Sequence, residues 1–458
     1  MSDARDSRRE KGLAVPATRF GRLSRLGAMT AGVAGNMALG GAAQLGRGQR
    51  PTWRGLLMTP GNIGRIADQL AKMRGAAMKI GQMVSMDTGD ILPPELSDIM
   101  SRLRDDAHFM PPAQLRKVLD TAWGARWMRS FHRFDVRPIA AASIGQVHRA
   151  QLKDGRDLAI KVQYPGVARS IDSDVANVGS LIRMSGLLPR GIKLDPYLAE
   201  AAAQLHEETD YLREARYLER FRTLLSGEGG FVVPESHPDW STGTIIAMDY
   251  VASRPIEELA EAGLEQRHRV MAQLLDLTLK ELFDFRLMQT DPNFANYRIE
   301  AGKGRVVLLD FGAVREISDA TSELYRALLR AGLAGDMRQV EDISISAGFI
   351  YENTASDHRA RIMRMIAIVF DALRADSFDF ADPTMSRSLQ REGEALARDG
   401  FVPPVLPGEI LFLQRKLGGM FLLGARLGVR LPVAAMLAPY LDARDGPSAP
   451  TAEGNSRP

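Results

Sequence analysis

The chain has 458 residues, 45% hydrophobic and 25% charged, ordinary figures for a soluble globular protein long enough for two or more packed units. It contains no cysteine, which excludes a disulfide scaffold, cysteine-ligated zinc and thiol nucleophiles, and is compatible with a reducing compartment. The formal charge of +3 conceals an asymmetry: residues 1–54 carry ten Arg and Lys against Asp3, Asp6 and Glu10, a net +7, leaving −4 for the remainder.

A basic arm of this kind binds anionic lipid or nucleic acid, or is merely solvated. Residues 1–25 are polar, Arg-rich and without periodicity, which predicts disorder; three acids within the first ten residues argue against a mitochondrial transit peptide. Residues 26–46 are uncharged and dense in small residues, with Ala31 and Gly35 at the spacing that lets helices approach closely. The length would span a bilayer, but Asn36, Gln44 and the many glycines weaken its hydropathy. A surface-seeking or helix-packing segment is expected ahead of a true span. From Asn62 to about Thr88 a helical stripe follows (Ile66, Leu70, Met73, Ala77, Ile80, Val84), with Lys79 and Gln82 together on its flank. Taken alone this is an amphipathic helix with an exposed lysine. Pro93-Pro94 and Pro111-Pro112 then break the chain into short helices.

At Phe134 the period changes to two. The run Ala140-Ala141-Ala142-Ser143-Ile144-Gly145-Gln146-Val147-His148 predicts a tight loop between strands, followed by a turn at Asp154-Gly155. In the next strand Leu158, Ile160 and Val162 share one face, Ala159 and Lys161 the other. A lysine set among apolar residues needs a carboxylate or a phosphate unless its strand lies at an edge. The stretch Pro196–Arg222 reads as one helix, with Glu207, Asp210 and Glu214 on an acidic face and Glu208 about 100° away. Like charges so placed cost a few tenths of a kcal/mol each (~0.2–0.5), so a cation or metal is expected opposite them. Thr244–Val251 predicts a strand running into the polar break Ala252-Ser253-Arg254-Pro255, and Val270, Leu274, Leu275, Thr278 and Leu282 mark a strong helix.

The stretch from Gln289 to Gly312 carries the chemistry. Asp291 and Asn296 form D-x-x-x-x-N, and fourteen positions on, the apolar run Val306–Leu309 delivers Asp310-Phe311-Gly312. Phosphoryl transfer of the kinase type needs this set: one carboxylate to position the attacking hydroxyl, an amide and a second carboxylate to hold Mg²⁺ on the phosphates. Beyond Val314 the chain reads as helical to about Leu441, with Phe412, Lys416, Gly419 and Leu423 as helical core. Gly446–Pro458 is rich in Pro, Ser and Gly, which predicts disorder.

These parts stand in kinase order: loop, strand Lys161, helix Glu214, hinge, Asp291 with Asn296, then Asp310. The phosphate loop is rich in Ala instead of Gly, no His-Arg precedes Asp291, no Ala-Pro-Glu follows Gly312, and an extension bearing Lys79-Ile80-Gly81-Gln82 comes first. In these respects the sequence resembles the UbiB (AarF/UbiB) family of atypical protein-kinase-like proteins, over roughly residues 60–440. The wording Thr290-Asp291-Pro292-Asn293-Phe294-Ala295-Asn296 resembles its coenzyme Q branch.

The resemblance implies an α+β, two-lobed protein-kinase-like fold with a helical N-terminal extension. Its divisions would be a basic, Gly/Ala-rich arm (1–55), the extension (56–125), an N-lobe with the Ala-rich loop (126–252), a helical C-lobe (253–445) and a disordered tail (446–458). It implies ATP or ADP with Mg²⁺ as cofactors. Ala140, Ala141, Ala142, Ser143, Ile144, Gly145 and Val147 would cover the nucleotide, Ala159 would roof the adenine, and Met248, Asp249, Tyr250 and Val251 would form the hinge. Lys161, paired with Glu214, would contact the phosphates; Asn296 and Asp310 would ligate the metal; Asp291 would stand as catalytic base. Glu208 and Asp210 would tether Lys79 and Gln82 as a regulatory element that favours slow ATP hydrolysis over phosphorylation of proteins in trans. An Ala-rich loop keeps its N–H donors but is stiffer than a Gly-rich one, which would alter nucleotide preference.

The implied function is an atypical kinase or ATPase supporting ubiquinone biosynthesis, with quinone-biosynthesis enzymes or lipid precursors as partners and the membrane surface met through the arm. The alternatives are a nucleotide-switched scaffold and a protein kinase acting in trans. No nucleic-acid partner is expected, and the reading allows a homodimer. The expected place is the cytoplasm, peripheral to the inner membrane of a bacterium, or the mitochondrial inner membrane in a eukaryote.

Overall fold

The computed structural model describes residues 75–77, 79–80, 109–185, 194–404 and 406–442. The basic arm, residues 26–46, Gln82 and the C-terminal tail lie outside them. The described chain divides into two units: one holds residues up to Arg220 together with Pro234–Val251, the other Phe221–Val233 and the chain from Ala252 on. Segment 221–233, read from sequence as part of the N-lobe, falls in the second unit because its strand pairs there.

In the first unit the alternation around Lys161 becomes β4 (Asp157–Gln163), the middle of an antiparallel sheet. It lies between β3 (Gly145–Leu152) and β6 (Ile245–Asp249); β3 also pairs with β1 (Phe131–Phe134) and the short β2 (Ala140–Ala141). Leu158, Ile160 and Val162 have no exposed surface and pack on Phe131, Leu152 and Ala247. Over that face lies α1 (Pro112–Trp123), joined to the sheet by aromatic rings. Trp123 stands 5.2 Å from Trp240 and 5.7 Å from Phe131, and Trp127 stands 5.5 Å from Phe131. Such ring pairs add about 0.5–1.5 kcal/mol each beyond the area they bury.

Gln146 and His148 of β3 are fully buried and hydrogen-bonded to each other (2.8 Å). Gln146 Oε1 accepts the Met110 N–H (2.8 Å), so Gln146 Nε2 must donate to His148 Nε2, which leaves His148 Nδ1–H to donate to the Asp135 carbonyl (2.8 Å). Burial pushes the His148 pKa below its ordinary value, against that carbonyl bond.

Three helices complete this part of the chain: α2 (Val167–Ser185), α3 (Leu194–Glu208) and α4 (Tyr211–Leu224). The sequence predicted α3 and α4 as one helix. They are separated at Thr209-Asp210, where Asp210 Oδ1 accepts the Arg213 N–H (2.9 Å) and starts a new helix as an N-cap. The single acidic face therefore does not exist.

In the second unit a sheet runs β5 (Phe231–Val232), β10 (Val306–Leu308), β9 (Tyr297–Glu300), β7 (Ser253–Pro255), with β5 and β10 parallel. A separate pair joins β8 (Leu287–Gln289) to β11 (Val314–Glu316). The helices are α5 (Leu264–Phe283), α6 (Asp319–Ala334), α7 (Met337–Ser346), α8 (Ser356–Leu373), α9 (Pro383–Arg398), α10 (Gly408–Leu427) and α11 (Val433–Asp442). A two-strand ribbon, β12 (Phe378–Asp379) with β13 (Arg430–Leu431), interrupts them. The predicted stripes become the buried faces of α5 (Val270, Leu274, Leu282) and α10 (Phe412, Gly419, Leu423). Among the described residues no helix is long and apolar enough to cross a membrane.

Candidate functional site

In the first unit, β4 turns Lys161 away from the apolar face of the sheet. Its Nζ stands 2.9 and 3.0 Å from the two carboxylate oxygens of Glu214, whose side chain is 1% exposed. Glu214 lies in the first turn of α4, where the helix dipole favours a negative charge. The ammonium also stands 5.1 Å from the Tyr211 ring centroid. Removing one partner of such a buried pair strands the other charge, at about 3–5 kcal/mol.

The Ala-rich run is a tight hairpin. Ala140 and Ala141 pair with Val147 and Gln146, and Ala142 N–H donates to the Gly145 carbonyl (2.9 Å). Gly145 is required by space: an added Cβ would lie 2.5 Å from the Val162 carbonyl oxygen and 2.9 Å from the Tyr211 hydroxyl. Val147 faces Lys161 across the sheet, and Ile144 is buried at the turn.

Lys79 lies in the helical residues before this hairpin, with its Nζ 2.6 Å from Glu208 Oε1. Ser143 Oγ donates to the other oxygen of Glu208, also at 2.6 Å. Glu208 thus joins the Lys79 turn to the Ala-rich hairpin, while Asp210 caps α4. Sequence reasoning missed Gln163, whose Nε2 donates to the Thr209 carbonyl (2.6 Å) and ties the break between α3 and α4 to the end of β4. A glutamine ending a strand carries no signal of that contact.

At the predicted hinge, Met248 pairs with Ala159 across the sheet. Asp249 accepts from His237 Nε2 (2.8 Å), and Tyr250 lies under the Arg149 guanidinium at 4.0 Å. The N–H groups of Asp249 and Tyr250 donate to the carbonyls of Glu235 and Asp157. Val251 is the last residue of this unit.

In the second unit, the turn after β8 brings Asp291, Asn296 and Asp310 into one bonded segment. Asp291 Oδ1 accepts the Asn293 N–H (3.3 Å), and Asn293 in turn caps the helical turn Phe294–Asn296 through the Ala295 N–H (3.1 Å). Asn296 Nδ2 donates to the Asp291 carbonyl (3.4 Å), and the Asn296 carbonyl accepts from Leu309 N–H (3.2 Å). Asp310 Oδ1 accepts the Gly312 N–H (3.0 Å). Asn296 and Asp310 line one small cavity with Gln289, Phe311, Glu281 and Lys416. Two of these lining residues, Glu281 and Lys416, form a buried ion pair at 3.0 Å. Burial works against the Lys416 ammonium, but the Glu281 carboxylate and the Tyr297 hydroxyl together outweigh it and the Lys416 pKa is raised.

Among the described residues no group of three or more His, Asp or Glu could hold a metal by itself. An amide and a carboxylate on one cavity wall suit a hard divalent cation that takes its remaining oxygens from phosphates and water, as Mg²⁺ does. The donor set therefore fits the metal that the sequence implies.

Comparison with known proteins defines the class. The fold is protein-kinase-like on the strength of its family domain, and the solved Rv3197–erythromycin complex of Mycobacterium tuberculosis superposes with a TM-score of 0.57, at 23% identity, over 80% of this chain and 92% of that one. The ABC1 atypical kinase-like domain matches residues 102–344. The chain is 37% identical over 429 residues to the mitochondrial atypical kinase COQ8 of Saccharomyces cerevisiae, covering 93% of this chain and 85% of the relative. It is 36% identical to the mitochondrial atypical kinase COQ8B of Danio rerio, covering 92% and 68%. This chain belongs to the ABC1, or UbiB, family of atypical kinases.

Proposed function

We propose that this protein is an ATP-binding, Mg²⁺-dependent atypical kinase or ATPase that supports ubiquinone biosynthesis at a membrane surface. The observation that carries the reading is the buried Lys161–Glu214 pair, with both carboxylate oxygens within 3.0 Å of one ammonium. A lysine so oriented is a phosphate-binding device held ready. In this reading Lys161 neutralises nucleotide phosphates, the Ala140–Val147 hairpin covers them, and Asn296 and Asp310 hold the cation. The cation, when bound, supplies charge neutralisation on the phosphates. Asp291 orients the attacking hydroxyl or water, and the chain contributes positioning and fixed charge. The ubiquinone assignment rests on the family and on its COQ8 members; the basic arm of residues 1–54 suits an anionic membrane surface.

Thermal denaturation with ATP, in Mg²⁺ and in EDTA, tests the core of this reading. Wild type should be stabilised by nucleotide in Mg²⁺, by about 2.7 kcal/mol at a hundredfold excess over Kd. Asp310→Asn should lose the Mg²⁺-dependent part. Equal stabilisation of the two proteins would remove the metal assignment.

A further inference from the structure

Glu281, in the last turn of α5, and Lys416, in the middle of α10, are each 1% exposed. Together they hold both backbone polar groups of one residue, Gln289. Lys416 Nζ donates to the Gln289 carbonyl (3.0 Å), and Glu281 Oε1 accepts the Gln289 N–H (3.4 Å). Lys416 also donates to the Tyr297 hydroxyl (2.9 Å), and that hydroxyl donates to Gln289 Oε1 (3.1 Å). The Gln289 side chain continues the chain of bonds, its Nε2 donating to the Asp310 carbonyl (3.3 Å).

Every group so held borders a residue of the Asp291 loop. Gln289 stands two positions before Asp291, Tyr297 directly follows Asn296, and the last acceptor belongs to Asp310 itself. A buried ion pair is a weak means of stabilisation, since well-packed apolar residues of similar volume usually do as well or better. An apolar pair would fill the space but leave the Gln289 carbonyl and N–H without these partners and the Tyr297 hydroxyl with one hydrogen bond fewer. The pair is thus better explained by what it orients than by what it stabilises.

We propose that Lys416, with Glu281, is a positioning residue for the metal-holding loop: by fixing Gln289 and Tyr297 it sets where Asp291, Asn296 and Asp310 stand for a divalent cation bound with a nucleoside triphosphate. This rests on the reading of Asn296 and Asp310 as the metal residues. Lys416 acts on that loop through Gln289, whose carbonyl it holds.

Lys416→Met alone would leave Glu281 buried and unpaired, so the variant for the test is the double one, Lys416→Met with Glu281→Leu. Gln289→Ala is measured beside it, because it keeps the pair and its backbone contacts and removes the side-chain bonds to the Tyr297 hydroxyl and the Asp310 carbonyl. Affinity for a non-hydrolysable ATP analogue is measured by calorimetry in Mg²⁺ and in EDTA, and the melting temperature is taken without ligand. The double variant should melt below wild type, because the Gln289 carbonyl and N–H lose their partners, and still bind the analogue equally in EDTA. Its Mg²⁺-dependent gain in affinity should fall by about 10- to 100-fold, the usual cost of losing a residue that orients a metal ligand. Gln289→Ala should lose part of the same gain, which decides the matter should the double variant not fold. A full gain in the double variant, or in Gln289→Ala when the double variant does not fold, overturns the positioning role. With wild type showing the gain, that result leaves the metal reading standing. A wild type with no Mg²⁺-dependent gain removes both.

Discussion

Lys79 and Glu208 lie 129 positions apart in sequence and meet at 2.6 Å, with side chains only 8% and 12% exposed. The second oxygen of Glu208 is taken by Ser143, so one carboxylate fastens the helical residues around Lys79 to the Ala-rich hairpin. Lys79→Met should strand that carboxylate in a buried setting and cost about 3–5 kcal/mol. Replacing both partners, as in Lys79→Met with Glu208→Leu, should recover most of the loss. Urea denaturation of the two variants checks this, and equal losses would mean the contact is not a coupled pair.

Gly145 tests how tightly the hairpin sits on the sheet. Gly145→Ala would set a methyl 2.5 Å from the Val162 carbonyl oxygen and 2.9 Å from the Tyr211 hydroxyl. Overpacking of this kind costs about 1–3 kcal/mol. Since the nearer atom is backbone, adding Tyr211→Phe should give little relief. Substantial recovery in the double variant would show that the hydroxyl, and not the main chain, is the limit.

The pH dependence of stability should carry a signature of His148. Its folded pKa is lowered from 6.5 by burial, so above 6.5 the ring is neutral in both states and its contribution is fully present. As pH falls below 6.5 the unfolded chain takes up the proton first, and stability is lost until the folded pKa is reached. The slope from this one group is at most about 1.4 kcal/mol per pH unit. His148→Gln should be less stable than wild type at about pH 7.5 but lose less on going to about pH 5.5, as read from denaturant midpoints. Parallel losses in the two proteins would mean that His148 is not the titrating group.

Pro292 makes a comparable demand in the second unit. A Cβ at Gly419 of α10 would fall 2.2 Å from the Pro292 Cβ, and a proline ring in the Asp291 turn has little room to yield. Gly419→Ala should therefore displace the turn, costing about 1–3 kcal/mol in stability and lowering nucleotide-dependent stabilisation in Mg²⁺. Calorimetry in Mg²⁺ and EDTA separates the two effects. A fall in stability with unaltered nucleotide affinity would show that α10 yields instead of the turn.

Much of the fold was legible because it rests on short-range patterns. Two-residue alternation is a property of a strand's own sequence, so Leu158, Ile160 and Val162 announced β4 and placed Lys161 on its other face. The break between α3 and α4 was hidden, because Glu207, Asp210 and Glu214 have spacings that suit an unbroken helix. What decides it is the Asp210 cap and the distant grip of Gln163 on Thr209, and neither has a local pattern. Lys416 was placed in the helical core, where it lies, but a charged residue in an apolar stripe does not reveal its partner. Glu281 stands 135 positions earlier, within another stripe of leucines. Of the helix predicted over 62–88, the described residues are 75–77 and 79–80, and they are helical.

The aromatic cluster beneath α1 has a practical consequence. The protein has four tryptophans, Trp53, Trp123, Trp127 and Trp240, and none lies in Phe221–Val233 or after Val251. Three of them crowd together with Phe131, so their emission should shift sharply towards the red when that packing opens to solvent. Indole fluorescence is therefore a natural optical probe that sees one half of the molecule and is blind to the other. Paired with far-ultraviolet circular dichroism, which the helix-rich remainder dominates, it would show without any added label whether the two halves melt together or in sequence.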